Sequence, residues 1–156
     1  MGLFSKMFNS DKQAGKGENP SFDSLVEKSK TSGQAYDLSE LYRHFLLLNE
    51  WVFITPSRLE IENAKPFIGV VDEKPWVFVF TDKQKANEYG RQFDGFVRDN
   101  GSIFLIQMNV KNSLEMFYQL SDRGVFGIRV NEGPNGWFCP IQDLTGIIKY
   151  LNIEIT

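Results

Sequence analysis

Apolar side chains recur at intervals of three and four residues in four stretches of the chain, which places them on one face of an α-helix. The first of these helices is predicted over residues 37–49. The other three are predicted to begin at Thr81, at Asn109 or Asn112, and at Pro140. Thr, Asn and Pro are common at helix starts because they satisfy, or do without, the backbone N–H groups that a first turn leaves free. Each helix then needs a sheet or another helix against which to bury its apolar face.

Short runs rich in Val, Ile, Phe and Trp lie between the helices and predict β-strands. Residues 72–75 and 131–136 are rich in turn formers, so each is expected to join two strands in a hairpin. The run at 103–108 is almost continuously apolar and is predicted to be covered on both faces. Helices and strands in this order predict an α+β fold, with a single mixed β-sheet of about five to six strands and helices packed on it. The strands are expected at residues 51–55, 66–71, 76–80, 103–108, 125–130 and 137–139.

The periodic pattern weakens before residue 36 and divides the chain into a tail and a domain. Residues 9–34 are rich in Ser, Gly, Lys, Asn and Gln, and few of their side chains offset the entropy lost on ordering. A short helix near residues 22–30 is an alternative for part of this stretch. We predict a mobile polar tail over residues 1–35 and a single domain over residues 36–156.

The first eight residues, MGLFSKMF, differ from the rest of the tail. Leu3, Phe4, Met7 and Phe8 would share one face of a helix, with Lys6 directed elsewhere. One interpretation is a small anchor for a membrane surface or a partner, and the other is a frayed start. Two helical turns carry too little apolar area for stable membrane insertion, and Lys6 stands where N-myristoylation needs Ser or Thr. We therefore predict no stable membrane insertion.

Composition and charge then exclude several classes of protein. The chain has 156 residues, room for one ordinary domain, and 42% of them are hydrophobic. A net charge of −3 without a basic run predicts no nucleic-acid binding. The single cysteine, Cys139, excludes an intramolecular disulfide and a cysteine-based zinc site. With no long apolar run and no secretory signal, the sequence predicts a cytoplasmic protein.

Short motifs in the predicted domain resemble one known family. Residues 80–82 (Phe-Thr-Asp), residues 127–133 and the helix and strand over residues 41–56 are similar to segments of the SseB (enhanced serine sensitivity) N-terminal domain family. The resemblance covers roughly residues 37–150. It departs from the family pattern at Glu132, where the family usually has Pro. The resemblance implies an SseB-like fold and carries over no reaction, ligand or catalytic residue.

No catalytic or metal signature emerges from the residue types. Cys139 and the only histidine, His44, are a candidate nucleophile and base, but a cysteine between Phe and Pro more often serves as a small buried hydrophobe. The Gly pairs at residues 124–127 and 133–136 lack the spacing and the Lys of a phosphate-binding loop. We predict no catalytic residue, no metal site and no cofactor.

Two groups of residues are candidates for binding a ligand or a partner. Trp76, Phe78 and Phe80 share one face of a strand, where they form either a binding platform or, as we favour, part of the core. The second group lies at strand ends and turns, where open α/β sheets tend to bind ligands. It consists of Thr81, Arg129, Asn131, Glu132 and Trp137.

Three functions compete on this basis. The leading hypothesis is a non-catalytic protein-binding or regulatory module that docks another protein, which predicts an exposed apolar patch or an open sheet edge. The alternative is a small-ligand binder or small enzyme with a strand-end cleft that uses Arg and carboxylates. The third is an interaction protein tethered at a membrane by residues 1–8. The sequence leaves the oligomeric state open.

Overall fold

The structure is a computed structural model that describes residues 20–156. Within that range the chain forms five α-helices and six β-strands, and two short 3-10 turns at residues 61–63 and 94–96. None of the helices in this range is both long enough and apolar enough to cross a bilayer. The helices are α1 (Phe22–Ser32), α2 (Ala35–Leu46), α3 (Lys83–Gly90), α4 (Val110–Asp122) and α5 (Ile141–Leu151). The strands are β1 (Glu50–Ile54), β2 (Ile68–Val71), β3 (Lys74–Val79), β4 (Leu105–Asn109), β5 (Gly127–Val130) and β6 (Trp137–Pro140).

The predicted α+β class is confirmed, but the prediction of a single sheet is wrong. Four strands form one sheet in the order β2-β3-β5-β6, and β1 and β4 form a separate antiparallel pair. The two sheets touch through one bridge, in which the backbones of Val52 and Phe80 exchange hydrogen bonds of 2.9 and 2.8 Å. The ladder stops there because the chain beyond Phe80 turns into α3, which leaves β1 one residue to pair with.

The four-stranded sheet combines the two kinds of pairing that the sequence indicated. β3 and β5 run parallel at its centre, and the hairpin partners β2 and β6 lie antiparallel at its edges. Asp72 and Glu73 adopt left-handed φ angles of 53° and 66°, the conformation that a two-residue hairpin loop requires. Because β3 and β5 are parallel, their carboxyl ends lie at the same edge of the sheet, next to the start of α3.

The core has a layer on each face of this sheet. On one face α2, α4 and α5 cover β5 and β6, and the Trp51 ring stacks between Phe45 and Phe117 at centroid distances of 4.2 and 5.6 Å. On the other face α3 covers the aromatic side chains of β3, and Ala86 packs there with no exposed surface. The sheet is thus sandwiched between helices, as layered α+β domains require.

β4 is less buried than its sequence predicted. Gln107 and Asn109 are exposed, whereas Ile106 and Met108 are half-buried against the main core. The prediction that this strand is covered on both faces is met in part, because Leu105 packs with the aromatic side chains beneath α3 while Ile106 and Met108 pack on the main core. The Asn109 side chain accepts a hydrogen bond of 2.7 Å from the backbone N–H of Asn112, which makes Asn109 the cap of α4.

The short helix near residues 22–30 is present as α1. It buries Leu25 and Val26 against Leu41 of α2, although it precedes the predicted boundary at residue 36. Ser21 caps this helix by accepting a hydrogen bond of 3.1 Å from the Ser24 N–H. Residues 1–8, the segment considered as an anchor, lie outside the described residues.

Candidate functional site

A cleft of about 300 Å³ opens at the edge where β3 and β5 end. Phe80 and Asn131 form its inner wall, one residue beyond the ends of the two strands. Lys85 and Tyr89 of α3 and Asp23 of α1 line its other sides. We call this the strand-end cleft. It lies where the predicted rim of Thr81, Arg129, Asn131 and Glu132 was expected.

A buried hydrogen-bond pair ties the ends of the two strands together. The Asn131 side-chain oxygen accepts from the Thr81 N–H at 3.0 Å, and the Asn131 amide donates to the Thr81 hydroxyl at 3.0 Å. Asn131 has a φ angle of 50°, a left-handed conformation that Asn tolerates better than most residues. Because Thr81 is held by Asn131, the cap of α3 is Asp82, which accepts from the Lys85 N–H at 2.8 Å. The predicted helix start at Thr81 is thus off by one residue.

Arg129 of β5 pairs with Glu132, which lines the cleft. The Arg129 Nε donates to a Glu132 carboxylate oxygen at 2.9 Å. The Arg129 guanidinium lies 5.2 Å from the Trp76 ring centroid and 5.3 Å from that of Phe138, between the two rings. The side chain is only 19% exposed, so its charge is shared between a carboxylate and two aromatic faces.

The remaining charges of the cleft are matched in the same way. Lys85 donates to the Asp23 carboxylate at 2.7 Å, which links α3 to α1. Burial raises the pKa of the Tyr89 phenol, and Glu132 raises it further while Arg129 opposes the shift. Tyr89 therefore keeps its proton at neutral pH and offers the cleft a hydroxyl rather than a phenolate. The arrangement suits a small polar ligand more than proton transfer.

Of the aromatic residues singled out from the sequence, Phe80 lines the cleft, whereas Trp76, Phe78 and Trp137 do not. Trp76 and Phe78 are 6% and 4% exposed and belong to the core layer beneath α3, which is the role we favoured for this face of the strand. Trp137 packs on the opposite face of the sheet, where its ring stacks on Phe22 at 6.0 Å and meets Phe45 edge-on at 5.6 Å. Four of the five rim residues thus come together, and Trp137 does not join them.

Cys139 and His44 do not form a catalytic pair. The Cys139 thiol lies against Tyr42 and donates to the Pro140 carbonyl at 3.3 Å, and burial raises its pKa to about 11. The His44 Nδ1 lies 2.9 Å from the Glu40 carbonyl of its own helix. A thiol that stays protonated at neutral pH is a poor nucleophile. Residues 20–156 also contain no group of three or more carboxylate, His or Cys side chains arranged for a metal ion.

A second concave surface, which the sequence did not indicate, lies between α2 and α5. It has a volume of about 530 Å³, and Tyr42 and Gly146 lie in its lining. Leu38 and Tyr150 are 46% and 80% exposed at its sides, next to Ile147. We call this the helix groove. Leu38 and Ile147 lie at positions assigned to the buried faces of their helices, so sequence periodicity assigned them to the core.

Two features of α5 are the signals that point to the helix groove. Gly146 lies in the interior of the helix, and a Cβ atom built on it would meet no heavy atom within 4 Å. Glycine in a helix interior lowers stability by about 1 kcal/mol relative to alanine. Because no neighbouring atom excludes a larger side chain at this position, packing within the described chain does not explain the glycine. In addition, the apolar residues of α5 extend beyond one face and include Tyr150.

No protein-family model matches the chain, and no curated protein is significantly similar to it. The resemblance to the SseB N-terminal domain family therefore stays a prediction that rests on short motifs, chiefly residues 80–82 and 127–133.

Proposed function

We propose that the protein is a non-catalytic protein-binding module whose helix groove receives the apolar face of an amphipathic helix from a partner. The observation that carries this proposal is the exposure of Leu38 and Tyr150 on either side of an open groove. Grooves between two helices are a recurrent site for helical peptides, which insert apolar residues at a spacing of three and four. Burial of one apolar side chain contributes about 1.5–3 kcal/mol, so three anchors contribute roughly 5–9 kcal/mol toward binding before the cost of association.

The shape and charge of the groove define the partner further. Gly146 lets a partner backbone or side chain approach α5 closely, because no side chain of the described chain fills that space. Among the described residues that line the groove, Asp143 is the only charged one. We therefore propose a partner helix with an apolar stripe and one Lys or Arg placed to meet Asp143.

The open edge of the four-stranded sheet is a weaker docking surface. β2 exposes Val70 at 74% and Ile68 at 39%, and an apolar edge strand can pair with another chain. The strand is only four residues long and is followed by the charged turn of Asp72 and Glu73. Short strands and nearby charges are the devices by which natural proteins protect their edges.

A small-ligand binder or small enzyme that uses the strand-end cleft is the second candidate function. It is supported by the position of the cleft at the carboxyl ends of two parallel strands, beside Arg129 and Glu132. Against it, Lys85, Arg129 and the Asn131 amide already bond within the protein. An SseB-like fold and a cytoplasmic location fit both candidates and are proposed with them.

A selection experiment tests the docking proposal directly. A library of random helical peptides of about 16 residues is displayed and selected against the full-length protein. We expect the selected peptides to share apolar residues at i, i+3 or i+4 and i+7, with a basic residue at one flank. Binding should fall at least tenfold in a Gly146→Leu variant, whose added side chain fills the groove.

A Gln119→Leu variant is the matched control, because it adds the same side chain at an exposed position of α4 that does not line the groove. Equal loss of binding in both variants, or selected peptides without an apolar stripe, would contradict the proposal. Chemical denaturation of both variants establishes that each one is folded.

A further inference from the structure

Residues 1–8 of the chain are complementary to the helix groove in apolar surface and in charge. Residues 1–8 place four large apolar side chains within two helical turns and contain a single charged side chain, Lys6. The described lining of the groove is mostly apolar, with the polar residues Ser39 and Gln142 and a single charged side chain, Asp143. We infer that residues 1–8 bind in the helix groove of the same chain and compete there with the partner helix. This inference rests on the proposed function, since both occupants use the same groove.

The apolar content of the octet suits the groove in size. Leu3, Phe4, Met7 and Phe8 follow the spacing i, i+1, i+4 and i+5, which gives one apolar face when the segment is helical. Two turns of helix are about 12 Å long, and a segment of that length presents two or three anchors to a groove of about 530 Å³. An isolated helix this short is unstable in water, so it gains its order only from the surface that it covers.

The connecting segment is long enough for this contact. Gly33 and Gln34 alone join α1 to α2, and the two helices pack side by side through Leu25, Val26 and Leu41. The start of α1 therefore lies about one length of α1, roughly 16 Å, from the start of α2, where Leu38 lines the groove. The eleven residues 9–19 span at most about 36 Å, with a root-mean-square length of roughly 18 Å.

Attachment to the same chain favours this occupant over others. A linker of this length holds the octet near the groove at an effective concentration on the order of millimolar. Eight residues with two turns of apolar surface bind weakly in trans but are favoured by that concentration. A partner helix with more anchors still displaces the octet, so the octet sets a threshold for partner binding rather than an absolute block.

Paramagnetic relaxation in the full-length protein tests the inference. Ser5→Cys introduces a labelling site in the octet, and a nitroxide couples selectively to it at neutral pH because Cys139 is buried with its pKa raised to about 11. In uniformly ¹⁵N-labelled protein, we expect broadening of the amide signals of Leu38, Gly146 and Ile147, relative to the ascorbate-reduced sample. The amides of the strand-end cleft should keep their intensity.

Three variants and one mixing experiment decide between occupants. Gly146→Leu should abolish the broadening, and Gln119→Leu should leave it unchanged. A variant with Leu3, Phe4, Met7 and Phe8 all changed to Ser should lose it as well. Mixing nitroxide-labelled ¹⁴N protein with unlabelled ¹⁵N protein detects contact between copies. Groove broadening in that mixture, at the strength expected for contact between copies, would assign the groove to a second copy and overturn the inference, as would an undisturbed groove in the labelled protein.

The peptide selected against the protein separates this inference from the proposed function. If both are right, the four-Ser variant binds the peptide roughly three- to tenfold more tightly than the unchanged protein does. Unchanged peptide affinity in the four-Ser variant overturns the inference and leaves the docking function standing. Groove broadening by the octet without any selectable peptide overturns the docking function instead. Binding of the octet to anionic vesicles, with no groove broadening, would assign it to a membrane surface.

Discussion

The strand-end cleft and the helix groove differ in how their surfaces are satisfied. In the cleft the principal charged and polar groups already have partners within the chain, as in the pairs Arg129 with Glu132 and Lys85 with Asp23. In the groove the exposed surface is mostly apolar, and Leu38 and Tyr150 are left open to solvent. A ligand in the cleft must displace existing bonds, whereas an apolar partner in the groove displaces only water.

In this protein the polar residues at the strand ends hold the fold together, whereas exposed apolar residues form the surface that we propose for binding. Polar residues at strand ends attract attention in a sequence, yet here they tie β3 to β5 through Thr81 and Asn131. Apolar residues on helices are assigned to the core, yet here some of them remain exposed beside a glycine. The predictions below test each half of this comparison, beginning with the largest expected change in stability.

The first prediction concerns the pair that holds the inner wall of the cleft. Asn131→Ala removes the acceptor of the buried Thr81 N–H and places Ala at a φ angle of 50°. We expect the free energy of unfolding to fall by about 3 kcal/mol, since an unsatisfied buried N–H costs about 1–3 kcal/mol and a left-handed Ala about 1 kcal/mol more. Urea denaturation measures the change.

Asn131→Asp is the control for this prediction, because Asp keeps the acceptor oxygen and tolerates the left-handed conformation. It should lose clearly less stability than Asn131→Ala. If both variants keep the full stability of the unchanged protein, Asn131 is free for a ligand, and the strand-end cleft becomes the better functional candidate.

The second prediction concerns Tyr42, which lines the helix groove, and Cys139 beside it, because burial raises the pKa values of both. The pKa of Cys139 rises from the ordinary 9.0 to about 11. As the pH rises from 9 to 11, the unfolded chain releases the thiol proton and the folded chain retains it. The stabilisation is therefore complete below about pH 9, and on the order of 2 kcal/mol is lost as the pH rises through 11. Tyr42 adds a loss of the same sign at higher pH.

Denaturation curves collected between pH 8 and 11 check this sign, with Cys139→Ala as the reference. The variant should show a smaller decline in stability over that range than the unchanged protein does. Equal declines would mean that water reaches the thiol and that burial does not raise its pKa.

The third prediction concerns Gly146. Its missing Cβ faces open space, so Gly146→Ala should raise the free energy of unfolding by about 1 kcal/mol through helix propensity alone. Thermal or urea denaturation measures the gain. Gly127→Ala is the opposite control, because a Cβ there would lie 2.5 Å from the Cys139 carbonyl oxygen and 2.6 Å from the Trp76 ring. A loss of stability in Gly146→Ala would show that the added methyl group meets atoms of α5 or its neighbours and that the space beside Gly146 is not open.

Local signals in the sequence predicted the helices, the hairpins and several of their caps. Asn109 caps α4, and the Asp72–Glu73 turn joins β2 to β3, because both features depend on neighbouring residues alone. The start of α3 was misplaced by one residue because Thr81 bonds to Asn131, fifty positions away. The break between the two sheets has the same origin, since it depends on where β1 meets the end of β3.

The candidate sites show the same limit. Thr81, Arg129, Asn131 and Glu132 were found from the sequence because they lie at or just beyond the ends of two strands that end at one edge. The helix groove was missed because the periodicity that places Leu38 on the inner face of α2 does not report how far α5 lies from it. The spacing between two helices depends on everything packed beneath them, and no single segment contains that information.

The last and smallest prediction concerns the ion pair that joins α1 to α3 across the strand-end cleft. The Lys85 Nζ and the Asp23 carboxylate lie 2.7 Å apart, with the side chains 27% and 48% exposed. Lys85→Met and Asp23→Asn should each cost about 0.5 kcal/mol, and the double variant should show a coupling energy below about 1 kcal/mol, because solvent screens such pairs. Urea denaturation of the four proteins gives that coupling.

A coupling well above 1 kcal/mol would mean that the cleft is drier than its exposure indicates, and that its charges are available to bind a ligand. A small coupling would mean that the charges of the cleft serve to connect α1 and α3, and the helix groove would then remain the better candidate for a binding surface.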